Sequence, residues 1–111
     1  MATGSPCCQV TTTFPDETRA RQAATLLVTE RLAACAQVAG PIGSTYRWDG
    51  RIETAEEWYV HFKTTSARAP DLQARLREIH PYDTPEIIVL PIAGGDPAYL
   101  RWIQASVAPE G

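Results

Sequence analysis

The chain is predicted to be an α/β (α+β) sandwich of βαββαβ order with one further helix at its C-terminal end. Three observations predict this. β-branched alternating segments and 3.6-period apolar stripes take turns along the chain, two extended segments are joined by Asp49-Gly50, and an Asp96-Pro97 start signal precedes a last amphipathic stretch. With 111 residues, 44% hydrophobic and 21% charged, the sequence suits one domain with a core that needs no disulfides. The domain is expected over residues 7–108, with residues 1–6 and 109–111 as flexible ends.

Residues 8–14 alternate and are rich in threonine and valine, as in a strand, and Pro15 ends it. Asp16 is a suitable N-cap with Glu17 behind it at the positive end of a helix. Ala20, Ala23, Ala24, Leu27, Val28 and Leu32 then form one apolar stripe, which extends the helix to about residue 34. Cys35, among alanines, reads as a small core residue. Residues 36–48 and 51–65 are two strands. Asp49-Gly50 makes the tight turn between them, because both residues tolerate positive φ. Pro41 and Gly43 place a bulge or bend in the first of these strands. In the second, Ile52, Thr54, Trp58, Val60 and Phe62 share one face, and Arg51, Glu53, Glu57, Tyr59, His61 and Lys63 the other.

A second helix is expected over residues 66–80, with Pro70 in its first turn and Leu72, Leu76 and Ile79 buried. The segment His80-Pro81-Tyr82-Asp83-Thr84-Pro85 is a stiff loop, since its prolines fix φ and restrict the residues before them. Glu86-Ile87-Ile88-Val89-Leu90 has the near-continuous apolar character of a central strand buried on both faces. Asp96 caps the last helix and Pro97 opens it, with Tyr99, Leu100, Ile103 and Val107 on its apolar side. Both main helices on one face of the sheet give the ferredoxin-like arrangement.

Length argues that the chain is not a monomer. Strands of about 13 residues at roughly 3.3 Å each make a ribbon about 43 Å long. A compact domain of this size is only about 34 Å across. The ribbon, which carries Tyr46, Trp48 and Trp58, is therefore expected to overhang its domain and pair with a neighbour's sheet in a closed ring.

Other function classes are excluded on composition. The net charge of −3 and pI near 5.3 oppose nucleic-acid binding. No apolar run reaches the length of a membrane span, and the N-terminal residues lack the basic flank and apolar stretch of a signal peptide. Three cysteines, Cys7 and Cys8 adjacent, close no disulfide framework and suit a reducing cytoplasm; whether Cys7-Cys8 binds metal or only opens a strand stays open. No nucleophile elbow, phosphate loop or Cys-x-x-Cys occurs. Acylphosphatases share the topology but need an asparagine, and this chain has none. It is expected not to be an enzyme.

These residues resemble the CutA family of divalent-cation tolerance proteins from about residue 9 to 107. The likeness is carried by Arg31-Leu32-Ala33-Ala34-Cys35-Ala36, Tyr46-Arg47-Trp48-Asp49-Gly50, Lys63-Thr64-Thr65, the 80–86 loop, and Tyr99-Leu100-Arg101-Trp102. The resemblance implies a homotrimer of ferredoxin-like subunits packed like PII signalling proteins. It also implies a role in tolerance of divalent metals, copper especially, with no required cofactor. In some members copper is thought to be held by a cysteine ending the first strand, a histidine near His-Pro-Tyr, and the glutamate after the last proline. Here the histidine corresponds to His80 and the glutamate to Glu86. The cysteine position falls on Thr12 or Thr13, which removes the softest ligand. Asp83 lies between and completes the candidate metal set, to be joined by groups from another subunit. His80 serves equally as a helix cap and Glu86 as half of an ion pair at a subunit seam. By analogy with PII proteins, Trp48, Lys63, Tyr82 and Glu86 line an intersubunit cleft for a small anionic ligand. The alternative is accordingly a PII-like scaffold or signalling protein that binds a small ligand or protein partner and has no physiological metal.

Overall fold

The computed structural model describes residues 5–109. Its elements run β1 (Cys7–Phe14), α1 (Glu17–Thr29), β2 (Cys35–Trp48), β3 (Arg51–Thr65), α2 (Ala69–Ile79), β4 (Ile87–Pro91) and α3 (Pro97–Val107). The strands form one antiparallel sheet in the order β2-β3-β1-β4. This is the ferredoxin-like order expected of the sequence. The flexible ends expected at residues 1–4 and 110–111 lie outside the described residues. Ser5 and Pro6 do not fray: the Ser5 hydroxyl donates to the Ile92 carbonyl, and the Pro6 carbonyl accepts from Ser66 N–H at 2.7 Å.

Alternation along the strands divides the sheet into two faces. Cys8, Val10 and Phe14 of β1 meet Val60 and Phe62 of β3 on one of them. Ala20, Ala23 and Leu27 of α1 and Leu72 and Leu76 of α2 seal that face into the main core. Small residues on the α1 stripe bring this helix close to the strands. On the opposite face α3 covers only one end, packing Ile103 and Val107 against Cys7 and Ala34.

Caps set the helix ends. Asp16 and Asp96 each accept from the backbone N–H three residues on, Arg19 at 2.8 Å and Tyr99 at 3.0 Å. α1 stops at Thr29, five residues short of the extent that its apolar stripe predicts. Arg31 turns left-handed with φ 62°, while Leu32 N–H reaches the Leu27 carbonyl and Arg31 N–H the Val28 carbonyl. That is the Schellman closure, made here with arginine where glycine is usual. The Arg75 guanidinium of α2 then grips the Glu30 carboxylate with two bonds of 2.9 Å, fastening the second helix to the end of the first. α2 itself begins at Ala69, three residues later than expected, because Ser66 and Arg68 are drawn into a turn by Pro6 and Thr65.

Three further expectations are corrected. The apolar run at residues 87–90 forms an edge strand, not a central one, and leaves Ile88, Val89 and Leu90 exposed. Composition matches a buried strand, but burial depends on what covers the outer edge, and no strand among the described residues does. Cys35 is half-buried at the start of β2, near the Tyr99 hydroxyl, rather than in the core. Tyr99 is exposed, so the packed side of α3 is Ile103 and Val107 with Leu100 half-buried beside them.

The hairpin carries the expected turn, with Asp49 at φ 51° and Gly50 at φ 75°. β1 pairs with β3 only from Trp58 to Thr65, so Arg51–Glu57 and the facing part of β2 run on as a two-stranded ribbon. The domain measures 46 × 30 × 21 Å, and its radius of gyration of 14.9 Å exceeds the roughly 13 Å of a compact chain of this length. The expected irregularity is present between Ala39 and Ile42, where Pro41 has no N–H for the ladder. There the indole of Trp58 packs against Gly40: a Cβ on this glycine would stand 2.4 Å from the ring.

Two stability effects are expected. Gly40→Ala forces the indole away and lowers stability by about 1–3 kcal/mol, whereas Gly43→Ala, with nothing within 4 Å of its added carbon, changes little. Urea midpoints of the two variants check this. Thr12 is fully buried in the main core, and its hydroxyl has no hydrogen-bond partner among the described residues. Thr12→Val is therefore expected to raise stability by about 1 kcal/mol, read from the same denaturation curves.

Candidate functional site

Where the ribbon leaves the sheet, on the face away from α1 and α2, lies an open cleft of about 950 Å³. Side-chain alternation builds it. Glu57 and Tyr59 of β3 point to this face, with Thr13 of β1 opposite Tyr59. Ile42 lies opposite Glu57, and Ser44, Tyr46 and Trp48 continue along the same side of β2. The loop after α2 supplies the last wall, with Tyr82, Asp83 and Glu86.

The cleft is acidic. No Lys, Arg or His lines it among the described residues. Glu57 is nine-tenths buried, and its Oε2 accepts a 2.8 Å bond from the Tyr82 hydroxyl. Burial, and then the hydrogen bond it donates to the Glu57 carboxylate, push the Tyr82 phenol far above its ordinary range. Burial raises the Glu86 carboxyl as well, and repulsion from Glu57 adds to it. Neither glutamate has a salt-bridge partner among the described residues.

His80 stands behind this wall rather than in it. Tyr82 N–H donates to its Nδ1 at 3.2 Å, so this nitrogen carries the lone pair and Nε2 carries the proton, given to the Thr13 carbonyl at 2.8 Å. The ring stacks on Phe14 at 4.5 Å between centroids. Desolvation lowers its pKa against the opposing pull of the Thr13 bond and Glu57. A ring with both nitrogens engaged ties β1 to the loop and has no free lone pair for a metal.

The predicted residues thus separate. Trp48, Tyr82, Asp83 and Glu86 come together in one cleft, His80 braces it from behind, and Lys63 is elsewhere, its ammonium 2.7 Å from the Gln37 side-chain oxygen. The cleft of one chain therefore lacks the ammonium that the expected small anionic ligand would need. Nor are His80, Asp83 and Glu86 a ligand set: no group of three or more His, Cys, Asp or Glu is placed to hold a metal among the described residues. Of the two positions considered for the family cysteine, Thr12 faces the core and Thr13 the cleft. Sequence reasoning missed Glu57. Alternation put it on the polar face of β3, but its burial comes from the Tyr82 loop folding over it.

Fold and cleft define a ferredoxin-like protein with an outrun hairpin and an acid-lined cavity at the hairpin's root. The chain belongs to the family of the CutA1 divalent ion tolerance protein, whose model matches residues 8–106. It is 44% identical over 92 residues to the divalent-cation tolerance protein CutA of Thermus thermophilus, covering 83% of this chain and 89% of that protein. The crystal structure of CutA from Xylella fastidiosa superposes with a TM-score of 0.90 at 38% identity, covering 93% of this chain and 99% of the other. A structure described as the periplasmic divalent cation tolerance protein CutA of Archaeoglobus fulgidus gives 0.88 at 33% identity, covering 91% and 98%.

The His80 environment has a pH consequence. The fold holds this ring neutral, while the unfolded chain takes up a proton near the ordinary value of 6.5. Stability is therefore complete above that value and falls as pH drops below it toward the depressed native value. His61, also lowered by burial, acts in the same direction. Urea midpoints are expected to fall between neutral pH and about pH 5.5, and His80→Gln should remove part of that slope, leaving the share due to His61.

Proposed function

We propose that the chain acts without catalysis, as a cytoplasmic homotrimer in the response to divalent cations, holding copper or another divalent cation at the acidic cleft. The observation that carries this reading is Glu57: a nine-tenths-buried side chain beside Glu86, without a basic group among the described residues to balance either. A buried carboxylate needs a countercharge. Two carboxylates and the Tyr82 oxygen are hard donors, so affinity should follow the general order for divalent ions, with copper(II) highest.

Two carboxylates from one chain make a weak site, and a neighbouring subunit would complete it. The ribbon supports such an assembly. Its outer half has no third strand, and Tyr46, Trp48 and Ile52 stand exposed on it. The outer edge of β4, with Ile88 and Leu90 exposed, offers unpaired backbone to a second chain. No helix among the described residues is long and apolar enough to cross a membrane.

Calorimetric titration with copper, zinc and manganese tests the metal part. Glu57→Gln and Glu86→Gln should each weaken binding about tenfold or more, the cost of losing one charged ligand at about 1.4 kcal/mol per decade. Equal heats in wild type and both variants would remove the cleft from consideration. Sedimentation velocity tests the assembly: a stable single chain at micromolar concentration would sink the trimer.

A further inference from the structure

The two glutamates account for only part of the cleft. A single water has a share of about 30 Å³ in the liquid, so a cation with a few waters fills a small fraction of 950 Å³. The rest of the wall is aromatic. Tyr46 and Trp48 rise from β2, Tyr59 from β3 and Tyr82 from the loop, so four rings stand around the acidic floor. Tyr46 and Trp48 are 44% and 62% exposed, a large apolar surface to leave beside a charged hollow. Ring faces carry negative charge density and attract cations, most strongly those that shed water easily. A strongly hydrated metal ion uses the carboxylates and makes no use of the rings.

We infer that the cleft accepts an organic cation, an alkylammonium or guanidinium group on a small carbon frame. The charge lies at Glu57 and Glu86, and the carbon atoms lie against Tyr46 and Trp48. A volume at the upper end of the range for small-molecule sites suits such a ligand. A neutral aromatic ligand would fill the space but leave both carboxylates without a countercharge, and an anion would be repelled by them. This inference rests on the same carboxylates as the metal site, so metal and organic cation exclude each other.

The test uses the full chain in its native assembly. Choline and butylammonium are titrated by calorimetry, with 3,3-dimethylbutan-1-ol as the neutral counterpart of choline. At least one of the two cations should bind saturably, and the neutral alcohol at least tenfold more weakly than choline if choline is the one bound. Trp48→Leu, compared at a concentration where sedimentation velocity shows the same assembly as the wild type, should weaken the organic cation about tenfold while leaving the zinc heat unchanged, and Glu86→Gln should weaken both. Zinc should displace the organic cation in competition. Saturable binding of neither cation, or equal binding of choline and its neutral counterpart, overturns the inference, as does binding indifferent to Trp48→Leu. Metal binding without organic-cation binding overturns this inference alone. The converse result overturns the metal reading and leaves this one standing.

Discussion

The architecture follows from a mismatch in strand length. β1 has eight residues, while the hairpin strands beside it have 14 and 15. An antiparallel sheet can pair only what lies opposite, so the hairpin leaves the sheet near Glu57 and continues as a ribbon. At the point of departure the face of the sheet has a floor but no roof, and a cleft results. The loop after α2 reaches that point because His80 binds it to the end of β1 through the Thr13 carbonyl. The position of the cleft is thus a consequence of where a short strand stops.

The chemistry of the cleft is a consequence of what the fold withholds. The only lysine is held at Gln37, away from the cavity, and the nearest histidine is consumed as a brace. Most arginines lie on or beside the helices, as in the Arg75 grip on Glu30, and Arg47 and Arg51 on the ribbon do not line the cleft. Carboxylates are left facing rings. Such a surface selects for positive charge by having no alternative to offer, and its pull on cations grows with every water that a ligand or a neighbouring chain excludes.

Much of this was legible beforehand, for physical reasons that differ by element. The hairpin was certain from Asp49-Gly50, because few dipeptides tolerate two successive positive φ values. The caps at Asp16 and Asp96 were equally clear, since the carboxylate and the N–H it serves are three residues apart. The end of α1 was hidden, because an apolar stripe at helical spacing continues into Leu32 although Arg31 turns the backbone left-handed. The place of residues 87–90 was hidden for another reason: an apolar strand reads alike whether a neighbour lies on both sides or on one. At the site, the 80–86 loop was recognisable from its prolines, but the role of His80 was not. Whether an imidazole offers a lone pair depends on two hydrogen bonds, to Thr13 and Tyr82, that no local pattern encodes. Glu57 was invisible as a functional group because its burial is produced by a loop 25 residues further on.

The third helix ends at the pole of the molecule opposite the ribbon tip. Val107 and Ala108 give their carbonyls to Arg68 and Arg31, beyond the far end of β3. Cargo attached after the last helix, whether a fluorophore, a surface anchor or another folded unit, would therefore project from one pole and leave the other unencumbered. That polarity makes the chain a convenient handle for immobilisation, with the business end turned outward.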